Sequence, residues 1–406
     1  MAEVSKQKSS FLDKLHYHLY LISFVFAFAG IFTLPKGHEV IEILVILSLS
    51  VGVLNYAINR RALLTDSKLL FAIVLTVGLV IIINHYIHGD WPRYGRAFFY
   101  LSAFILLRPQ IPCIQRVVFY SVAIGGVLLG LLSLYQFNTG MLRVEGFTNA
   151  IPFAQGLFVL LLFNCYFFFS TKGAIRYIPF VSSIFLLIGL YLSQTRGVWL
   201  ALLILLAVYL ILKAFKKPFK YLVIMSFLAV IAFSSYENSG FVRDKVAAGV
   251  SDLQRAKAGS FGSSWGLRIV AWDSAVKGIR DNPLLGVGRD NFTSTKEEQV
   301  ARGEVSKLAL NPALFHTHNQ YLQSMLIRGI PGAVALFLLF AYPWLQSGLL
   351  NRKDYLFKSI SISFMIFSLS DVPFEHLNTI YLYVLSMALL RYFSLESGGL
   401  NRYRFL

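Results

Sequence analysis

The densest group of chemically capable side chains in the chain is Phe315-His316-Thr317-His318-Asn319-Gln320. Imidazole is largely neutral near pH 7, so a histidine here can accept a proton or orient a hydroxyl. Asn319, or a carboxylate such as Asp371 or Glu375, could hold the ring in one tautomer. Two histidines two residues apart fall short of a zinc site, which needs three or four ligands. The sequence has no Asp-x-Asp pair to hold a metal-bound diphosphate, so no metal is expected. The plainer reading is a pair of interfacial histidines that pack the end of a loop.

Arginines form the second set. Arg196 sits in Ser193-Gln194-Thr195-Arg196-Gly197, a tight link between two apolar runs. It could snorkel to lipid headgroups or clamp an anion, since the planar guanidinium donates bidentately and stays charged. Arg268 follows Trp265-Gly266-Leu267; at helical spacing it projects near Trp272, Ala275 and Ile279. A cation beside that apolar stripe needs a carboxylate, such as Asp273 or Asp290, or a bound phosphate. Arg93 and Arg96, in Trp91-Pro92-Arg93-Tyr94-Gly95-Arg96, read as an anchoring belt or a lipid-phosphate site. Arg143 has Glu145 close by, which favours a salt bridge over a ligand.

The elements that must position these groups are membrane helices. Of 406 residues, 56% are hydrophobic and only 14% are charged, with a mean hydropathy of +0.64. An ordinary soluble domain carries about a quarter charged residues. Crossing the hydrocarbon takes roughly 20 apolar residues. Such runs occur near 17–34, 39–58, 67–86, 94–107, 114–137, 150–169, 177–193, 195–213, 221–236, 330–350, 355–374 and 378–395. The fold expected is therefore an all-α polytopic membrane protein with about twelve transmembrane helices. Three parts follow: helices 1–9 in residues 1–236, a loop subdomain in 237–329, and helices 10–12 with a cytoplasmic tail in 330–406.

The net charge of +17 tests this topology. With the N-terminus in the cytoplasm, cytoplasmic pieces hold 20 of the 37 Lys and Arg. The opposite short loops hold only Lys36, Arg93, Arg96, Arg143 and Arg196. That asymmetry obeys the positive-inside rule, so the charge reports orientation and does not indicate nucleic acid. The long loop carries the other twelve basic residues against nine acidic ones. Ile269, Trp272, Val276 and Ile279 mark an apolar helical face in it, and Pro283, Gly286 and Gly288 a turn, so it reads as a packed subdomain. His38, His85, His88, His316, His318 and His376 share its side of the membrane. Ionisable groups collected at one interface suggest a site opening there. Cys113 and Cys165 are not expected to form a disulfide.

A set of ordered motifs sharpens the reading. Thr195-Arg196-Gly197-Val198-Trp199 opens a span; the long loop then carries Gly266-Leu267-Arg268 with Trp272, and Asn282-Pro283-Leu284-Leu285-Gly286-Val287-Gly288. His316-Thr317-His318-Asn319 and Arg328-Gly329-Ile330-Pro331-Gly332 close it. In order and spacing this resembles the bacterial O-antigen ligase and O-antigen polymerase superfamily. The resemblance implies a membrane glycosyltransferase C fold with its active site facing the periplasm of the inner membrane. It implies a donor glycan on undecaprenyl diphosphate, and for ligases an acceptor sugar hydroxyl on lipid A–core oligosaccharide. Transfer would invert the anomeric centre without metal, ATP or other cofactor. Carried over by motif, Arg196 and Arg268 bind the donor diphosphate and His318 is the catalytic histidine. His316 is secondary, and Arg93, Arg96 and Arg143 fit more loosely.

Other readings use the same residues differently. A polymerase would pass the glycan to a second lipid-linked glycan, and a protein O-oligosaccharyltransferase to Ser or Thr. A transporter or flippase of lipid-linked sugar would place polar groups near the midplane in two matching halves, a pattern the sequence does not show.

Overall fold

A computed structural model describes residues 10–59, 67–111, 114–347 and 354–399. Among the described residues the protein is all helical. The helices are α1 (Phe11–Ala29), α2 (Gly37–Asn59), α3 (Lys68–His88), α4 (Pro92–Leu106), α5 (Ile114–Asn138), α6 (Ala150–Ser170), α7 (Tyr177–Ser193) and α8 (Arg196–Ala214). They continue with α9 (Pro218–Asn238), α10 (Gly240–Lys257), α11 (Ser264–Asp281), α12 (Phe292–Ala301), α13 (Gln320–Ser347), α14 (Tyr355–Phe367) and α15 (Leu377–Gly399). Each of the twelve apolar runs falls on a helix, while α10, α11 and α12 lie in the polar segment between α9 and α13.

Seven of these helices are long and apolar enough to cross a membrane: α2, α3, α5, α6, α7 with the turn before it, α8 and α13. The apolar parts of α9, α14 and α15 are shorter. The outward faces show why the composition is so apolar. On α8, Leu200, Leu203, Leu206, Val208 and Leu212 are exposed, a surface suited to lipid and not to water. Of the basic residues that set the expected orientation, Lys6, Lys8, Arg60, Arg61, Arg352, Lys353, Arg402 and Arg404 lie outside the described residues, as does Cys113. Cys165 is free.

Helix α15 is the central post. It touches α1 to α6 and α14, and every residue from Ile380 to Leu390 is buried. Around it α1 packs on α2 and α5, α3 on α4 and α13, and α7 on α5 and α6. Small residues permit the close approaches: a Cβ on Gly125 would stand 2.1 Å from the Phe28 carbonyl oxygen.

Two breaks shape the face that carries the polar segment. Helix α13 begins at Gln320, ten residues before the apolar run it contains, and is kinked at Gly329 (φ 61°, ψ −154°). A Cβ there would meet the Leu284 carbonyl oxygen at 2.3 Å, so only glycine fits. The kink frees carbonyls that the loop turn satisfies: Val287 N–H donates to Leu326 O and Gly288 N–H to Ile327 O. Asn84 of α3 donates to Ile327 O and Leu285 O as well. The Asn282–Gly288 motif is thus the clasp between the loop and the membrane helices. The second break joins α7 to α8, where Gln194 adopts the left-handed conformation (φ 52°) without being glycine.

A buried ionic network locks this clasp. Arg328 donates from Nε to Asp90 at 2.5 Å and from a terminal nitrogen to the other Asp90 oxygen at 3.2 Å. Glu375 lies 3.9 Å from Arg328 and 3.4 Å from Arg289. Arg289 also stacks 3.8 Å from the Trp91 ring centre. Two guanidinium groups meet two carboxylates, which satisfies the requirement that buried charge be paired.

Candidate active site

A cavity of about 640 Å³ opens on the loop face. Its charged lining is Arg143, Arg196, Arg268, Asp252 and Asp371. The first turns of three helices reach it, through Ile151 of α6, Arg196 of α8 and Ser264 of α11, and so does Asn319 just before α13. Helix N-termini carry unsatisfied N–H groups and partial positive charge, which favours anions.

Local structure explains how each arginine arrives. The 139–149 turn is held by Gln136, whose Nε2 donates to Gly146 O while its Oε1 accepts from Gly146 N–H. The turn is then tied to the α7–α8 link. Val144 N–H donates to Leu192 O, Arg143 Nε to Ser193 O, and Gln194 Nε2 to Leu142 O. Thr195 Oγ1 donates to Ala150 O, drawing α6 into the same junction. Arg143 and Arg196 therefore share a wall although 53 positions separate them. Arg143 is turned toward the cavity, and the salt bridge anticipated with Glu145 is not its principal contact.

Arg268 comes from the first turns of α11. Ser263 caps that helix by accepting from Gly266 N–H, and a Cβ on Gly266 would collide with the Phe261 backbone. Trp265 and Trp272, which flank Arg268 in sequence, meet each other edge to face. Neither sequence-suggested partner reaches it: Asp273 pairs with Lys277 at 2.7 Å. The nearby carboxylate is Asp371, which accepts from Gln155 Nε2 at 2.8 Å. Burial lowers the Arg268 pKa; Asp371 opposes that, and Arg143 and Arg196 add to it. The guanidinium stays charged at any physiological pH, so the crowding of three cations is a repulsion that an anion would relieve. Asp252, a residue the sequence did not single out, stands 4.0 Å from Arg196. With Arg196 half exposed, that contact contributes little.

The histidine segment reaches this cavity through Asn319, while His316 and His318 stand behind its lining. Trp272 Nε1 donates to Thr317 O, Thr317 N–H donates to Gln323 Oε1, and Asn319 Oδ1 accepts from Leu322 N–H as a helix cap. His318 adopts the left-handed conformation (φ 51°), unusual for a side-chain-bearing residue and characteristic of functional sites. Its ring lies 4.0 Å from that of His316. His318 N–H donates to His316 Nδ1 at 3.0 Å, which places the His316 proton on Nε2. Burial, chiefly, pushes His316 down to about 2, so it is a neutral packing partner. Burial also lowers His318, followed by the Arg268 charge; the Ala313 carbonyl and Asp371 oppose the shift. His318 Nδ1 is buried without a hydrogen-bond partner among the described residues. Nε2 faces the Ala313 carbonyl at 3.4 Å, so it carries the ring proton and the buried Nδ1 is the nitrogen left to accept one, within electrostatic reach of Arg268 and Asp371.

The remaining sequence candidates separate. Arg93 lines a second, smaller cavity with Glu375 and His376. Arg96 is exposed on α4 and lines neither cavity. Glu375 is committed to Arg289 and Arg328 and does not serve the histidines.

Residues 181–337 match the family model described as O-antigen ligase. The matched segment runs from α7 into α13 and contains Arg196, Arg268 and His318. An uncharacterized protein of Haemophilus influenzae is 25% identical over 335 residues, covering 78% of this chain and 81% of its own. The resemblance read from the motifs thus holds over that segment.

Proposed function

We propose that the protein is an O-antigen ligase of the membrane glycosyltransferase C type, with about twelve membrane helices. It moves a glycan en bloc from undecaprenyl diphosphate to a sugar hydroxyl of lipid A–core oligosaccharide, at the periplasmic face of the inner membrane. One observation carries the reading: three arginines against two aspartates line one cavity that also receives the first turns of α6, α8 and α11. Such a surplus of fixed positive charge suits a diphosphate.

The chemistry follows. The acceptor oxygen forms a bond to the anomeric carbon while the bond from that carbon to the diphosphate oxygen breaks. In-line displacement inverts the centre. Negative charge grows on the leaving diphosphate, and Arg196 and Arg268, with Arg143 beside them, stabilise it. His318 accepts the hydroxyl proton or fixes the hydroxyl in line. Asp371 holds Gln155 and offsets part of the Arg268 charge. His316 and Asn319 keep the His318 backbone in place. The activated donor supplies the driving force, so no ATP is needed, and the guanidinium groups take the place of a metal at the leaving diphosphate.

Proteoliposomes supplied with labelled undecaprenyl-diphosphate glycan and, separately, lipid A–core, a second lipid-linked glycan, or a Ser/Thr peptide test this reading. Label on lipid A–core alone is expected. Label on a second lipid-linked glycan would make the protein a polymerase, and label on none would remove the enzyme reading.

A further inference from the structure

The second cavity on the loop face, about 220 Å³, is lined by His38, Arg93, Phe147, Thr148, Asn149 and His376, with Glu375 at its wall. It is a neighbour of the arginine cavity. The first turn of α6 separates them: Asn149 and Pro152 face the smaller one, Ile151 and Gln155 the larger. The segment after α14 does the same, with Asp371 on one side and Glu375 and His376 on the other. His316, which lines neither cavity, is within electrostatic reach of His376 of the smaller one and Arg268 of the larger.

The lining of the smaller cavity has a definite chemistry. Phe147 is 44% exposed, a flat apolar ring presented to solvent. Thr148 and Asn149 add a hydroxyl and an amide. Arg93 sits 5.1 Å from the Trp91 ring centre and 4.8 Å from that of Tyr94, and donates to Tyr94 Oη. Glu375 does not neutralise Arg93, because its carboxylate is already shared between Arg289 and Arg328. An aromatic face, short polar groups and an unbalanced cation together suit a sugar ring that carries a phosphate or carboxylate.

We propose that this cavity is the acceptor subsite, binding an anionic sugar of the glycolipid acceptor so that its hydroxyl points past the α6 turn toward His318. This rests on the transferase reading above. It adds that donor and acceptor occupy separate pockets on either side of the α6 turn. Arg93 then acts on acceptor affinity and not on the diphosphate.

The test uses the full protein in nanodiscs of zwitterionic lipid. Two equilibrium affinities are measured, for undecaprenyl diphosphate and for phosphorylated lipid A–core oligosaccharide. Arg93→Gln should weaken the oligosaccharide about tenfold, the loss of one charge-assisted contact, and leave undecaprenyl diphosphate unchanged. Arg93→Lys should restore part of the loss. Phe147→Ala should weaken the oligosaccharide several-fold, by a mechanism independent of charge. Removing the oligosaccharide's phosphates should make wild type and Arg93→Gln bind alike. Unchanged oligosaccharide binding in both variants, while the wild type binds the diphosphate, overturns the subsite alone. Weaker diphosphate binding in Arg93→Gln also overturns it, by assigning the cavity to the donor. If Arg93→Gln loses only retention of phosphatidylglycerol added to the nanodiscs, the cavity is a lipid-headgroup site and the proposal fails. Absence of diphosphate binding in the wild type would overturn the transferase reading and the subsite with it.

Discussion

Two arginine clusters lie on the same face of this protein and differ in how their charge is met. In the clasp, Arg328 and Arg289 face Asp90 and Glu375, two against two, with all four side chains nearly buried. In the large cavity, Arg143, Arg196 and Arg268 face Asp252 and Asp371, three against two, and one pair only reaches 4.0 Å. The first arrangement is complete without a ligand. The second is not, and it surrounds open volume. An arginine cluster reads as scaffold when the carboxylates close it and as a binding site when charge and space are left over.

The comparison can be broken most forcefully at the clasp. Arg328→Ala strands Asp90 in a buried site, so stability should fall by about 3–5 kcal/mol. Thermal unfolding in detergent would show this as a large drop in Tm and a poor yield from membranes. Replacing the pair by apolar residues, Asp90→Leu with Arg328→Met, should recover much of that loss. If Arg328→Ala unfolded like the wild type, the clasp would not be scaffold.

The cavity should respond in the opposite way. Arg268→Ala or Arg196→Ala should keep Tm close to that of the wild type while transfer drops about 10²–10³-fold, the scale of losing one donor to developing charge. The Lys variants should remain well below wild type, since the fork geometry goes with the guanidinium. Arg143, exposed and tied to Ser193 O, should matter less, and Arg143→Gln should cost about tenfold.

A pH profile gives a smaller but directional effect. Burial and Arg268 hold His318 below the ordinary histidine value, so the base form persists as pH falls through about 6.5. The kcat/KM for acceptor should stay level from pH 8 to about 6.5 and decline only below that. A midpoint above 6.5 would contradict the neutral, depressed histidine. Smallest of all, a chelator should leave turnover unchanged.

Much of this was legible in the sequence, for physical reasons that differ by residue. Hydrophobic periodicity and length placed helices on every apolar run, because burial in lipid demands long apolar stretches. Arg196, Arg268 and Asn319 line one cavity, whereas His318 of the same motif set does not line it. Arg143 has a contact the sequence did not show: its Nε donates to Ser193 O across the α7–α8 link, while Glu145 still acts on it electrostatically. Asp252 and Gln155 were invisible, because nothing local marks a residue whose partner is across the fold. The clasp was hidden too, since Asp90 and Arg328 are 238 positions apart. The early start of α13 was masked by Gln320, Gln323, Ser324 and Arg328, which interrupt the apolar run, while Leu322, Leu326 and Ile327 between them pack on Ala275, Val287 and Phe292 of the loop.

The most direct measurement is the affinity of purified protein in nanodiscs for undecaprenyl diphosphate against undecaprenyl monophosphate. The account predicts a clear preference for the diphosphate in the wild type. It predicts loss of that preference, by roughly 100-fold in diphosphate affinity, in the Arg196→Ala, Arg268→Ala double variant, whose Tm stays near the wild-type value. A double variant that bound diphosphate as tightly as the wild type would contradict it.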